Sequence, residues 1–193
     1  MSQHVINQRK TGLPRKLKAL LLPLLALFGG CVYSLQPWYA EGSGGADPAL
    51  KGVWREVDGQ DAWVFLAQGD SLCLLYQDDG QTGEFTAVTF NVEGQDFLDL
   101  TPAAAGRASG PMGWYQLPMH GLHRWSLSGD TLRMSSLNPQ TLDTQLQLGT
   151  HPPLQEMDNR WIFTGSREEM SALVADQLLD PALYDEPTVM VRE

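Results

Sequence analysis

The chain has 193 residues and is acidic, with 13 Lys and Arg against 23 Asp and Glu and a net charge of −10 at pH 7. The first 30 residues contain five of the basic residues and no acidic residue, so the following 163 residues carry 8 basic and 23 acidic side chains, a net charge of −15. Such a surface argues against nucleic acid as a partner and against a charge-based grip on anionic lipid. The length suits one folded domain.

The N-terminus has the three parts of a secretory signal. Residues 1–18 supply the positive charges, residues 19–28 are apolar, and two glycines and a cysteine follow. The apolar run has 10 residues, about half of the ~20 that a membrane-spanning helix needs, and Pro23 interrupts it. We therefore expect residues 1–30 to be a cleaved signal peptide rather than a permanent transmembrane helix.

The stretch Leu27-Phe-Gly-Gly-Cys31 resembles the lipobox of bacterial lipoproteins, although Phe28 stands where that family usually has Leu. The resemblance implies that the Cys31 thiol receives a diacylglyceryl group, that cleavage falls between Gly30 and Cys31, and that the new amine is acylated, usually with palmitate. Two or more acyl chains anchor a protein stably in a membrane, whereas one chain does not. The alternative is an ordinary signal peptide with an incidental cysteine.

The residues after Cys31 predict where the protein is held. Val32 occupies the position where an Asp tends to retain Gram-negative lipoproteins at the inner membrane, so the resemblance implies the periplasmic face of the outer membrane. Residues 31–50 are predicted to be a flexible tether, because 41–48 are rich in Gly and Ser. Trp38 and Tyr39 would then rest at the lipid interface or cover one edge of the domain.

Residues 51–184 have the pattern of an antiparallel β domain. Short apolar or alternating runs are separated by turn residues, with Gly69, Gly94 and Gly129 supplying the positive φ that hairpins need. The predicted strands are 52–56, 62–67, 71–77, 84–92, 97–100, 114–117, 122–127, 131–137 and 160–164. This series predicts an up-and-down sheet or a closed barrel.

Two helices are predicted beside the strands. Asn138-Pro139 is typical of a helix N-terminus, and Ser166-Arg-Glu-Glu169 forms a capping box. An apolar stripe follows the capping box, so we expect the second helix to pack on the outside of the barrel. Residues 185–193 are predicted to be a loose acidic tail.

Gly52-Val53-Trp54 on the first predicted strand resembles the Gly-x-Trp motif that opens lipocalins. In that family the Trp closes one barrel end against an Arg from a late strand. The resemblance implies a lipocalin-like barrel closed by Trp54 and by either Arg124 or Arg160.

The residues that carry chemistry are sparse. His120 and His123 are the only close histidine pair, but residues three apart on a strand face opposite sides, and structural zinc needs four ligands. Cys73 lies in an apolar run with no His nearby, which predicts a small buried side chain. There is no Gly-x-Ser-x-Gly elbow and no phosphate-binding glycine loop before a helix. We expect no metal, no cofactor and no catalytic residue.

The sequence therefore favours a membrane-anchored, non-catalytic module of the cell envelope. The module would bind a small apolar ligand inside the barrel, or it would be an assembly protein with a filled barrel that meets its protein partner through a loop such as 101–118. The alternative is a periplasm-facing hydrolase that uses dispersed carboxylates, which need not be adjacent in sequence.

Overall fold

A computed structural model describes residues 32–78, 81–103, 117–145, 151–157 and 160–193. Its strands are β1 (Val32–Ser34), β2 (Gly52–Glu56), β3 (Ala62–Gln68), β4 (Ser71–Asp78), β5 (Gln81–Val92), β6 (Gln95–Pro102), β7 (His120–Ser128), β8 (Thr131–Ser136), β9 (Leu154–Met157), β10 (Arg160–Phe163) and β11 (Thr188–Arg192). Its α-helices are α1 (Pro139–Gln145) and α2 (Arg167–Gln177), and short 3-10 helices cover Pro48–Leu50 and Pro181–Leu183. The predicted signal peptide, Cys31 and most of the predicted strand at 114–117 lie outside the described residues.

Eight strands close into an antiparallel barrel, as the strand pattern predicts. Strands β2 to β8 pair each with the next, and β11 pairs with both β8 and β2. The turns between the strands include Gly69, Gly94 and Gly129, whose φ angles are 61°, 82° and 58°. Positive φ costs glycine nothing, which is why these positions allow tight hairpins.

The last strand of the barrel corrects the prediction of a loose acidic tail. Residues 188–192 form β11, with Met190 opposite both Leu132 of β8 and Glu56 of β2. The predicted last strand, now β10, pairs instead with β1 and β9 outside the barrel. A domain ending at Tyr184 would therefore lack one of the eight barrel strands.

The N-terminal segment corrects the prediction of a flexible tether. Val32–Ser34 form β1, which pairs antiparallel with the start of β7 and parallel with β10. Val32 is 3% exposed and Trp38 is fully buried. Gly45 exchanges backbone hydrogen bonds of 2.8 Å with Thr89 in β5. Residues 32–50 thus lie on the barrel instead of hanging from it.

Two apolar clusters stabilise the domain. The inner cluster fills the barrel with side chains from the inward-facing positions of its strands, including Trp54, Trp63, Phe65, Leu72, Leu74, Leu98, Leu132 and Met190. The outer cluster joins β1, both α-helices and the C-terminal 3-10 helix to outward-facing residues of β5, β6 and β7, namely Phe90, Phe97 and Leu122. The sheet wall formed by β5, β6 and β7 therefore buries apolar surface on both of its sides, with the barrel interior on one side and the helices on the other.

Helix α2 docks on the outside of the barrel, as its sequence predicts. Met170, Leu173 and Val174 are buried in the outer cluster. The capping box is present, because the Ser166 Oγ accepts from the Glu169 N–H at 3.3 Å and a Glu169 carboxylate oxygen accepts from the Ser166 N–H at 2.7 Å.

The packing of α2 and its N-terminal cap should contribute unequally to stability. Leu173→Ala should lower the free energy of unfolding by about 2–5 kcal/mol, because it leaves a cavity in the outer cluster. Ser166→Ala should cost about 1 kcal/mol, because it removes one cap. Thermal or denaturant unfolding of the two variants measures the difference. Equal and negligible losses would contradict the docking of α2.

Candidate functional site

One end of the barrel is closed by an arginine stacked on the predicted tryptophan. Trp54 is fully buried, its indole N–H donates to the Leu50 carbonyl at 2.7 Å, and the Arg192 guanidinium carbon lies 4.1 Å from its ring centroid. The sequence pointed to Arg124 or Arg160 for this place, but Arg124 faces outward from β7 and Arg160 is exposed on β10. The correct partner, Arg192, was missed because it lies in β11, the strand predicted to be a tail.

Position 52 of the Gly-x-Trp motif needs glycine for a steric reason. Its φ is 129°, and a Cβ there would lie 2.9 Å from Nη1 of Arg192. The same guanidinium donates to the carbonyls of Ala49 and Lys51 at 2.8 and 2.5 Å. The Arg192 fork therefore joins the first 3-10 helix to the barrel end, which makes this end structural and closed.

The two histidines lie on opposite faces of β7, as strand geometry requires. His120 faces outward, and its Nδ1 lies 2.8 Å from an Asp99 carboxylate oxygen and 2.8 Å from the Thr101 hydroxyl. His123 faces the barrel interior, and its Nδ1 lies 3.1 Å from the Ser136 hydroxyl. Among the described residues, no three His, Cys, Asp or Glu side chains form a group that could hold a metal ion.

Asp99 joins the N-terminal segment to the barrel. This outward-facing carboxylate on β6 is only 2% exposed and accepts from the Trp38 backbone N–H at 3.1 Å as well as contacting His120. The Trp38 indole N–H in turn donates to the His120 carbonyl at 3.0 Å. We call Trp38, Asp99 and His120 the N-terminal clasp, since together they hold residues 32–38 against the barrel.

The other end of the barrel contains a small polar cavity beside His123. The cavity has a volume of about 20 Å³, and Trp63, Ser136 and Thr188 also line it. This is room for about one water molecule. The Trp63 indole N–H is buried without a hydrogen-bond partner, so the cavity suits a single polar atom and is far smaller than the ~300–1,000 Å³ of ordinary ligand sites.

His123 and Ser136 have the arrangement of a histidine base beside a serine nucleophile, but this imidazole is a poor base. Desolvation lowers the pKa of His123 to about 4, far below the value near 7 that suits a general base. Cys73, on the outer face of β4, is no better as a nucleophile, because burial and the neighbouring Glu84 carboxylate raise the pKa of its thiol.

A groove of about 390 Å³ runs along the outside of the barrel. One wall is the outer face of β7 and β8, with Arg124, Ser126, Arg133 and Ser135, and the other wall is the segment Pro181–Pro187. In the register of the β7–β8 hairpin, Arg124 is opposite Ser135 and Ser126 is opposite Arg133. The equal spacing of these residues about the Gly129-Asp130 turn is the sequence signal that could have placed them together.

Comparisons of the chain with models of protein families, with curated proteins and with solved structures found no match. Within the described ranges, no helix has both the length and the apolar character needed to cross a membrane. The structure thus defines a lipocalin-like barrel that is closed by Trp54 and Arg192 at one end and has an outer groove.

The buried imidazole predicts a pH dependence of stability. In the unfolded chain His123 takes up a proton near its ordinary pKa of 6.5, whereas the folded protein takes it up only near pH 4. Because the unfolded state binds more protons in this window, the free energy of unfolding should fall as pH falls from about 6.5 to about 4.

Denaturant unfolding across this pH range tests the prediction. His123→Gln should show a shallower slope of stability against pH than the parent. Ser136→Ala keeps the imidazole and should retain the parent slope. Parallel slopes for the parent and His123→Gln would contradict the assignment.

Proposed function

We propose that the chain is an exported, lipid-anchored protein whose lipocalin-like barrel is a non-catalytic binding or assembly module at the periplasmic face of the outer membrane. The observation that carries the proposal is the position of β1, whose first residue, Val32, directly follows Cys31. The lipobox and the folded domain are therefore adjacent in the chain.

This adjacency favours cleavage between Gly30 and Cys31 over an ordinary cut further along. Cleavage before Cys31 leaves every residue of β1 in the mature chain. A cut only a few residues later would remove Val32 and Ser34, which are 3% and 0% exposed, and would then reach buried Trp38. Losing these side chains would expose apolar partners in the outer cluster.

The short distance between Cys31 and β1 also determines how close the folded domain would lie to the membrane. Acyl chains on Cys31 would begin one residue away from a strand that is paired on both sides. Since two or more chains anchor stably, the barrel would be held close to the bilayer surface, without the spacer that the sequence predicts at residues 31–50. The charge of −15 after residue 30 leaves the lipid chains as the source of attachment.

The barrel interior favours binding or assembly over a hydrolase that would work inside the barrel. The inner cluster is apolar and includes the fully buried Trp54, Leu72 and Leu98. The outer groove has a volume within the range of ordinary ligand sites. An apolar ligand inside the barrel would find these interior positions already occupied by side chains, so we place the binding surface on the outside.

Substitution of Cys31 tests the proposal. Cys31→Ser should remove lipidation, so that the chain stays unprocessed or appears in the soluble fraction, whereas Cys73→Ser should remain processed and membrane-bound. Fractionation after a salt wash and mass measurement of the N-terminal peptide report both properties. A Cys31→Ser protein that is still processed near residue 31 and still membrane-bound would contradict lipid anchoring.

A further inference from the structure

We propose that the outer groove is a binding site for a small organic anion, with Arg124 and Arg133 holding its carboxylate or phosphate group. The inference rests on the proposed binding function and deepens it by naming the site and the ligand class. The spacing and the hydrogen-bond state of the two arginines support it.

The positions of the two arginines are unfavourable for the stability of the sheet. They lie on adjacent strands, in cross-strand pairs two residues apart, and both line the same groove. Like charges close together on one sheet face repel each other. In the part of the chain that the structure describes, neither guanidinium has a carboxylate within 4.0 Å, although acidic residues far outnumber basic ones.

The acidic residues of the groove are engaged elsewhere or exposed. Asp96 accepts from the Asn91 side-chain amide at 2.7 Å, and Asp185 accepts from the Asn138 side-chain amide at 2.7 Å. Glu186 is exposed at the rim. The two guanidinium groups therefore keep hydrogen-bond donors available for a ligand, and guanidinium forks match carboxylate and phosphate oxygens well.

The remaining lining suggests what else the ligand carries. Ser126 and Ser135 add hydroxyl groups that can donate or accept. The site thus fits a small anion that also bears hydroxyl or amide N–H groups.

Matched probe pairs test the site on the processed protein in a non-ionic detergent. Acetyl-dialanine and its C-terminal amide differ in the carboxylate, and glycerol 3-phosphate and glycerol differ in the phosphate. We expect saturable binding by calorimetry of one or both anions, weakened by added salt, and no binding of the neutral partners. The pair that responds tells carboxylate from phosphate.

Variants locate the binding. Arg124→Gln and Arg133→Gln should each weaken binding by about tenfold or more, whereas Arg160→Gln, which changes an exposed arginine on β10, should not. Absence of saturable anion binding, or an equal loss with Arg160→Gln, would overturn the inference. Membrane fractionation of the same variants separates the two proposals, because a failed anion site leaves attachment through Cys31 intact.

Discussion

The structure depends on a buried carboxylate that holds residues 32–38 against the barrel. Asp99 is 2% exposed on the outer face of β6, where it contacts the His120 imidazole and accepts from the Trp38 backbone N–H. A buried carboxylate without partners is costly, and these contacts offset that cost. Because Trp38 packs edge-on against Phe163 with ring centroids 5.7 Å apart, the clasp also joins β10 to the barrel.

One part of the outer surface of the barrel is covered by other elements, and another part is open. Strand β1, the α-helices and the C-terminal 3-10 helix cover Phe90, Phe97 and Leu122. The segment that follows the 3-10 helix then runs antiparallel beside the end of β8, since the Asp185 N–H donates to the Ser136 carbonyl at 2.9 Å and Tyr184 pairs with Leu137. The groove lies between this segment and the outward-facing side chains of β7 and β8. The covering elements thus create the surface on which we place ligand binding.

Local patterns in the sequence predict the middle of the fold well. Glycine turns and apolar alternation specify the hairpins, and the Ser166 capping box specifies α2, because these signals act between near neighbours. Strands β1 and β11 could not be predicted in the same way, since each of them pairs with strands that are distant in the sequence. The Arg192 partner of Trp54 and the Asp99 contact with Trp38 depend on that pairing, so they were missed as well.

Hydrogen exchange of the Trp38 backbone amide tests the central claim, that the residues that follow Cys31 belong to the folded domain. In the folded protein this N–H should exchange slowly, as amides of the barrel strands do, because it donates to buried Asp99. The exposed turn residue Gly42 supplies the reference for rapid exchange. Exchange of Trp38 as fast as that of Gly42 would show a loose tether and contradict the account.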